Sequence, residues 1–186
     1  MKVTATELPG VLIIEPQVFG DARGSFLETY RASRYREAGI EVDFVQDNLS
    51  RSSRGTLRGL HLQHPTGQAK LVSVAQGEVL DVAVDVRRGS PTFGKHVTVV
   101  LDSERHNQLF IPRGFAHGFL VRSDEALFTY KCSAPYSPDD ELTIAWNDPA
   151  LAIPWGLPSP LVSDRDAAAV PLEQIDPSRL PRWEAP

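Results

Sequence analysis

Residues 77–102 read GEVLDVAVDVRRGSPTFGKHVTVVLD, and their alternation is the clearest structural signal in the chain. Val82, Val84 and Val86 alternate with Asp81, Ala83 and Asp85. After a connection bearing Gly89, Pro91 and Gly94, Val97, Val99 and Leu101 alternate with His96, Thr98 and Val100. A period of two sends successive side chains to opposite faces, so each run is expected to form a half-buried strand. The connection nearly spells a phosphate-cradling loop, but His96 stands where a magnesium-binding hydroxyl is needed and the segment joins two strands instead of opening a helix. It is read as a turn.

Outward from this pair, Val72 and Val74 repeat the alternation, and short strand candidates fall at 11–14, 25–30, 44–50, 109–111, 118–121, 127–132 and 142–146. Each is bounded by Gly, Pro, Asn or Asp, and many short strands at such spacing predict an all-β sandwich or barrel. Helix is expected only at 32–38, where Gly39 is a left-handed terminator, with short turns after Pro149 or Ser163. Eight of the fifteen prolines follow Asn147, which predicts an extended tail from about residue 147 laid over a single domain spanning 1–186.

Composition narrows the function classes. A chain with 41% hydrophobic and 23% charged residues has the make-up of a folded globule. A net charge of −5 argues against non-specific nucleic-acid binding, which needs broad positive surfaces. No run approaches the roughly 18 apolar residues of a membrane span, and the opening MKVTATELPG lacks the apolar core of a secretory leader, so a cytoplasmic location and no membrane partner are expected. Cys132 is the only cysteine, which excludes an intrachain disulfide and a four-thiolate zinc site.

The chemistry concentrates in residues 46–70, QDNLSRSSRGTLRGLHLQHPTGQAK, a polar run of amides, arginines, two histidines and a lysine bounded by glycine and proline. Later in the chain come Ile111-Pro-Arg-Gly-Phe-Ala-His117-Gly-Phe and Thr129-Tyr130-Lys131. The set suits an anionic ligand and proton transfer. A metal held by His61, His64 and His117 is the competing reading, but alternation sends His61 and Gln63 to one side and His64 to the other, and Lys70 would oppose a cation. Arg58 alternates with His61 onto the opposite face unless Gly59 introduces a bulge. Tyr130 alone reads as a strand aromatic, and Asp164 and Asp166 as caps of a short turn.

Taken in order, Phe19-Gly-Asp-Ala-Arg-Gly, Phe26-Leu-Glu-Thr-Tyr, Gln46-Asp-Asn-Leu-Ser, Leu57-Arg-Gly-Leu-His, Gln68-Ala-Lys-Leu-Val, Gly77 to Asp85, Arg88-Gly-Ser-Pro-Thr-Phe-Gly, Ile111 to Phe119 and Trp146-Asn-Asp-Pro resemble the dTDP-4-dehydrorhamnose 3,5-epimerase family of the cupin superfamily. The resemblance implies a cupin-type jelly roll with a few short helices, a homodimer, no metal and no cofactor. It implies a substrate, dTDP-4-keto-6-deoxy-glucose, whose C3 and C5 are inverted. Both carbons lie beside the C4 ketone, so their protons become removable when a base is placed and the enolate is stabilised.

By the same resemblance, His61 is the base, Asp166 orients it, Lys70 offsets charge on the ketone oxygen and Tyr130 returns a proton from the other face. Arg23 and Arg58 would grip the diphosphate or sugar, since guanidinium forks suit phosphate oxygens. Glu28, Gln46, Asn48 and Glu141 fall at nucleotide-binding positions, Tyr136 matches an aromatic that stacks on thymine, and His117 a ligand-contacting histidine. Leu62 and Arg165 depart from the family's usual Tyr and Lys, and Arg165 keeps the charge of a substrate-binding position. Two alternatives stay open at this point: a 3- or 5-mono-epimerase of a related ketodeoxysugar, and a non-catalytic nucleotide-sugar binding protein.

Overall fold

The computed structural model describes residues 1–184. In chain order the strands are β1 (Lys2–Ala5), β2 (Leu12–Glu15), β3 (Val18–Asp21), β4 (Gly24–Leu27), β5 (Gln46–Ser53), β6 (Leu57–Gln63), β7 (Lys70–Gln76), β8 (Glu78–Asp85), β9 (His96–Asp102), β10 (Gln108–Ile111), β11 (Phe115–Val121), β12 (Glu125–Cys132) and β13 (Glu141–Thr143). Helices α1 (Ala32–Glu37) and α2 (Asp164–Ala167) are short. One sheet runs β1-β2-β10-β7-β12-β5, a second β13-β6-β11-β8-β9, and β3 and β4 form a separate hairpin. The expected all-β class with short helices is what the chain adopts.

The two large sheets pack face to face. Val72 and Val74 of β7, Leu109 and Ile111 of β10 and Phe128 of β12 meet Val79 and Ala83 of β8, Phe115 and Phe119 of β11 and Leu101 of β9 in one buried cluster. Strand periodicity sends the alternate residues outward, and each outer face finds its own cover. Tyr35 of α1 and Ile40 bury against Ile14, Leu71 and Phe110 on the first sheet. On the second, Leu151, Trp155, Leu172, Ile175 and Leu180 of the C-terminal segment close over Leu57, Leu60, Leu62, Leu80, Val82 and Val84. The proline-rich segment packs on the body, its prolines needing no ladder partners while its apolar residues supply the cover.

This cover corrects one expectation. Seven of the eight residues of β8, Val79 to Asp85, are buried, so it is not half-exposed. Asp81 and Asp85 do not face solvent. Asp81 accepts from His117, and Asp85 takes hydrogen bonds from Arg87, Ser90 and Thr92, which shape the 89–94 turn between β8 and β9. Burial pushes the Asp85 carboxyl up, but the guanidinium and the two hydroxyls outweigh it and hold the group below the ordinary carboxylate range.

A second departure from plain alternation decides the site. Along β6, His61 pairs with His117 and Arg58 with Phe119, so three steps on β6 oppose two on β11. The extra residue is a bulge at Gly59. It resets the parity: Leu57, Leu60 and Leu62 all enter the tail-covered core, while Arg58 and His61 both face the space between the sheets. Only glycine fits there, since its φ is +116° and an added Cβ would lie 2.5 Å from Gly118 Cα and 2.6 Å from the His117 carbonyl oxygen. Gly59→Ala is expected to destabilise the protein by about 2–4 kcal/mol, read from urea unfolding.

Candidate active site

The inter-sheet space is apolar at one end and polar at the other. At the polar end a cavity of about 700 Å³ is lined by Arg58, His61, Lys70, His117, Tyr130, Tyr136, Glu141, Arg165 and Asp166, floored by Phe119 and Phe128. The two floor rings stack with centroids 4.0 Å apart. A contiguous recess of about 360 Å³ adds Gln46, Asn48 and Gln63. Residues more than a hundred positions apart thus line one cavity, as the sequence reading expected for His61, Lys70, Tyr130 and Asp166.

His61 projects from β6 with its side chain 27% exposed, and its Nε2 lies 2.6 Å from Oδ1 of Asp166, which is 3% exposed. Asp166 sits in the first turn of α2, whose N-cap is Ser163: the serine Oγ accepts from the Asp166 N–H at 3.1 Å. Neither Asp164 nor Asp166 is the cap, because the hydroxyl one position earlier takes that role and frees Asp166 to reach the histidine. Burial raises the Asp166 carboxyl, but the hydrogen bond and charge of His61, with Ser163 and the Gly59 N–H, hold it below its ordinary range. An ionised carboxylate accepting Nε2–H leaves Nδ1 of His61 with the lone pair, the state of a base.

Tyr130 enters from β12 in the opposite sheet, and burial raises its phenol above the ordinary value. It is therefore protonated at neutral pH and able to donate. Lys70, at the start of β7, has its ammonium pushed down by burial, with Cys132 and Asp81 opposing. Lowering that value sharpens the amine as a hydrogen-bond donor to a growing oxyanion. His117 is a second histidine on a carboxylate, Nε2 2.9 Å from Asp81 Oδ2, and both are buried. Burial pushes the imidazole down more than Asp81 lifts it, and Lys70 and His61 push it further down, so His117 is neutral.

At the rim, Glu141 accepts from Tyr136 Oη at 2.8 Å and from Arg165, and Gln46 Oε1 accepts from the Tyr136 N–H at 2.9 Å. Arg58 Nε donates to Ser52 Oγ at 3.1 Å. Asn48 donates to Cys132 Sγ at 3.5 Å. Leu62 is buried in the tail-covered core and also borders the contiguous recess. Two expected binding residues are elsewhere: Arg23, with its side chain 90% exposed, pairs with Asp21 in the β3–β4 hairpin, and Glu28 pairs with Arg31 and Arg34. His64 ends outside β6, and among the described residues no three His, Cys, Asp or Glu side chains converge as a metal cluster.

Sequence reasoning missed Asp81, which alternation assigned to solvent, and Ser52, which lies past the expected end of its strand at residue 50. The available hint for Ser52 was a polar residue at every second position from Gln46.

His117 makes a pH-dependent contribution to stability. Its folded value lies below the ordinary 6.5, so the stabilisation is complete above that pH and is lost as pH falls through the lowered folded value, where the unfolded chain is already protonated. Urea unfolding between pH 7.5 and 5 is expected to show falling stability in the parent, and His117→Gln a shallower slope over the same window. Asp166 acts at lower pH, its contribution going only as the carboxyl protonates below the ordinary 3.8.

Comparison with known proteins identifies the family. The sequence model described as dTDP-4-dehydrorhamnose 3,5-epimerase matches residues 5–174. A dTDP-4-dehydrorhamnose 3,5-epimerase of Shigella flexneri is 54% identical over 168 residues, covering 89% of this chain and 93% of the relative. A dTDP-6-deoxy-D-glucose-3,5-epimerase from Legionella pneumophila, solved with dTDP-4-keto-L-rhamnose, superposes with a TM-score of 0.97 at 52% identity over 99% of both chains. A 3'-monoepimerase from Streptomyces bikiniensis, solved with dTDP-quinovose, reaches 0.89 at 38% identity over 95% of this chain and 91% of that one. A family match over nine-tenths of the sequence, joined to near-complete superposition, makes this chain a member of the dTDP-4-dehydrorhamnose 3,5-epimerase family.

Proposed function

We propose that the chain is a cofactor-independent isomerase that converts dTDP-4-keto-6-deoxy-glucose to dTDP-4-keto-L-rhamnose, the step of dTDP-L-rhamnose formation in which C3 and C5 are inverted. The observation that carries this reading is a carboxylate-backed histidine and a protonated phenol lining one cavity from opposing sheets. His61 Nδ1 takes the proton beside the ketone, and Asp166 stabilises the imidazolium that results. The electrons move into the C4 carbonyl, and the Lys70 ammonium offsets the charge on its oxygen. Tyr130 then delivers a proton to the same carbon from the other wall, which inverts it. The chemistry moves only protons, so no redox group or metal enters the balance.

Arg58 and Arg165 suit the diphosphate, and Tyr136, with Gln46, Asn48 and Glu141, suits the base and sugar of the nucleotide. Neutral His117 accepts or donates to the hexose. The fold is taken as a single cupin-type jelly-roll domain working in the cytoplasm, and among the described residues no helix is long and apolar enough to cross a membrane. Arg23 and Glu28 lie on or beside a hairpin whose Phe19 and Phe26 are 60% and 71% exposed. Such exposure suits a homodimer in which this hairpin completes the partner's cavity. The likeness to a 3'-monoepimerase keeps single-carbon inversion as the alternative, since the same base and phenol serve either reaction.

Incubation with the ketosugar in heavy water is expected to introduce deuterium at both C3 and C5; label at one carbon alone would favour the mono-epimerase. His61→Asn is expected to lower exchange and turnover together by about 10²–10⁴-fold. Tyr130→Phe should retain exchange while losing inversion by a comparable factor, because the base can still return a proton to the face it came from. For the dimer, mixing inactive His61→Asn protein with Arg23→Ala protein should restore activity at about a quarter of the sites, as one cavity of each mixed dimer is then wholly native. No recovery on mixing would place Arg23 in its own chain's site or outside both.

A further inference from the structure

We infer that Ser50 is a specificity-determining residue whose hydroxyl binds a ring hydroxyl of the hexose, an inference that rests on the ketosugar reading of the cavity. Strand β5 turns Gln46, Asn48, Ser50 and Ser52 inward and Asp47, Leu49 and Arg51 outward, so its inner face is a continuous polar row. Three of the four are engaged: Gln46 holds the Tyr136 N–H and donates to Asn48, Asn48 donates to Cys132, and Ser52 accepts from Arg58. Ser50 alone is not. Its Oγ is buried and, among the described residues, has no hydrogen-bond partner, yet it lines the cavity beside Arg58, His61, Lys70 and Tyr130.

A buried hydroxyl with no partner is costly, and strands seldom keep one without use. Opposite Ser50 on β12 stands Phe128, part of the aromatic floor, so alanine at 50 would satisfy packing equally well. What the serine adds is a donor and acceptor at the junction of the apolar floor and the arginine. The substrate has two candidates there, since C4 is a ketone, C6 lacks a hydroxyl and C1 carries the diphosphate. Only the C2 and C3 hydroxyls remain. A site built to bond a substrate hydroxyl rejects the analogue lacking it, because its own group is then left unpaired.

Steady-state kinetics of Ser50→Ala with dTDP-4-keto-6-deoxy-glucose and its 2-deoxy and 3-deoxy analogues tests this, alongside the affinity of each protein for dTDP alone. The expected result is a loss in kcat/KM of about tenfold with the natural sugar, unchanged dTDP affinity, and disappearance of the loss with one of the two analogues. Ser50→Thr, which keeps the hydroxyl, should retain more activity than Ser50→Ala. An unchanged kcat/KM, an equal loss with both analogues, or a matching fall in dTDP affinity would overturn the inference. Parent protein that fails to turn over the ketosugar would instead refute the functional reading beneath it.

Discussion

The site depends on a single parity change in β6. A regular strand cannot send Arg58 and His61 to the same face, because they are three positions apart and side chains alternate. The bulge at Gly59 inserts the missing step, and both faces gain from it: three leucines enter the tail-covered core while the guanidinium and imidazole enter the cavity. The close approach of β11 makes the arrangement rigid, since Gly118 packs where a side chain at 59 would otherwise stand. The guanidinium and the imidazole are thereby held on a strand, whose backbone is fixed by two neighbours, instead of on a loop.

Burial then sets the protonation states around that wall. A low-dielectric cavity favours neutral groups, so Tyr130 and Cys132 are raised while Lys70 and His117 are lowered. The two histidine–carboxylate pairs show how environment divides one motif into two uses. His117 with Asp81 is buried and neutral, a fixed hydrogen-bonding group. His61 with Asp166 keeps an exposed edge on the cavity, where its free nitrogen can meet a substrate proton. On the proposed mechanism the acid that faces this base is the protonated Tyr130 phenol, and His117 transfers no proton.

Much of this was legible before the coordinates. The β8 and β9 alternation, the helix ended by Gly39 at φ +86° and the packed proline-rich tail follow from periodicity and from glycine and proline stereochemistry. Other features were not. The strands β1 and β3 are four residues long with mostly exposed faces, too short for a period to register. Asp81 looked solvent-facing because alternation reports only that two faces differ: its face turns toward the other sheet and His117, while the distant tail buries the valine face. Arg23 and Glu28 were grouped with the cavity by resemblance, whereas within the chain they belong to the hairpin and to the loop leading into α1.

By itself, the sequence determined the class of fold and the inventory of chemical groups, because period, turn residues and residue types are local properties. Tertiary structure alone decided which groups meet. The pairing of His61 with Asp166 spans 105 positions and rests on a tail helix docking against β6, and the pairing of His117 with Asp81 rests on the register of β11 against β8. Distances of this kind, and the burial that shifts each group's proton affinity, arise only when the sheets close on one another and exclude water.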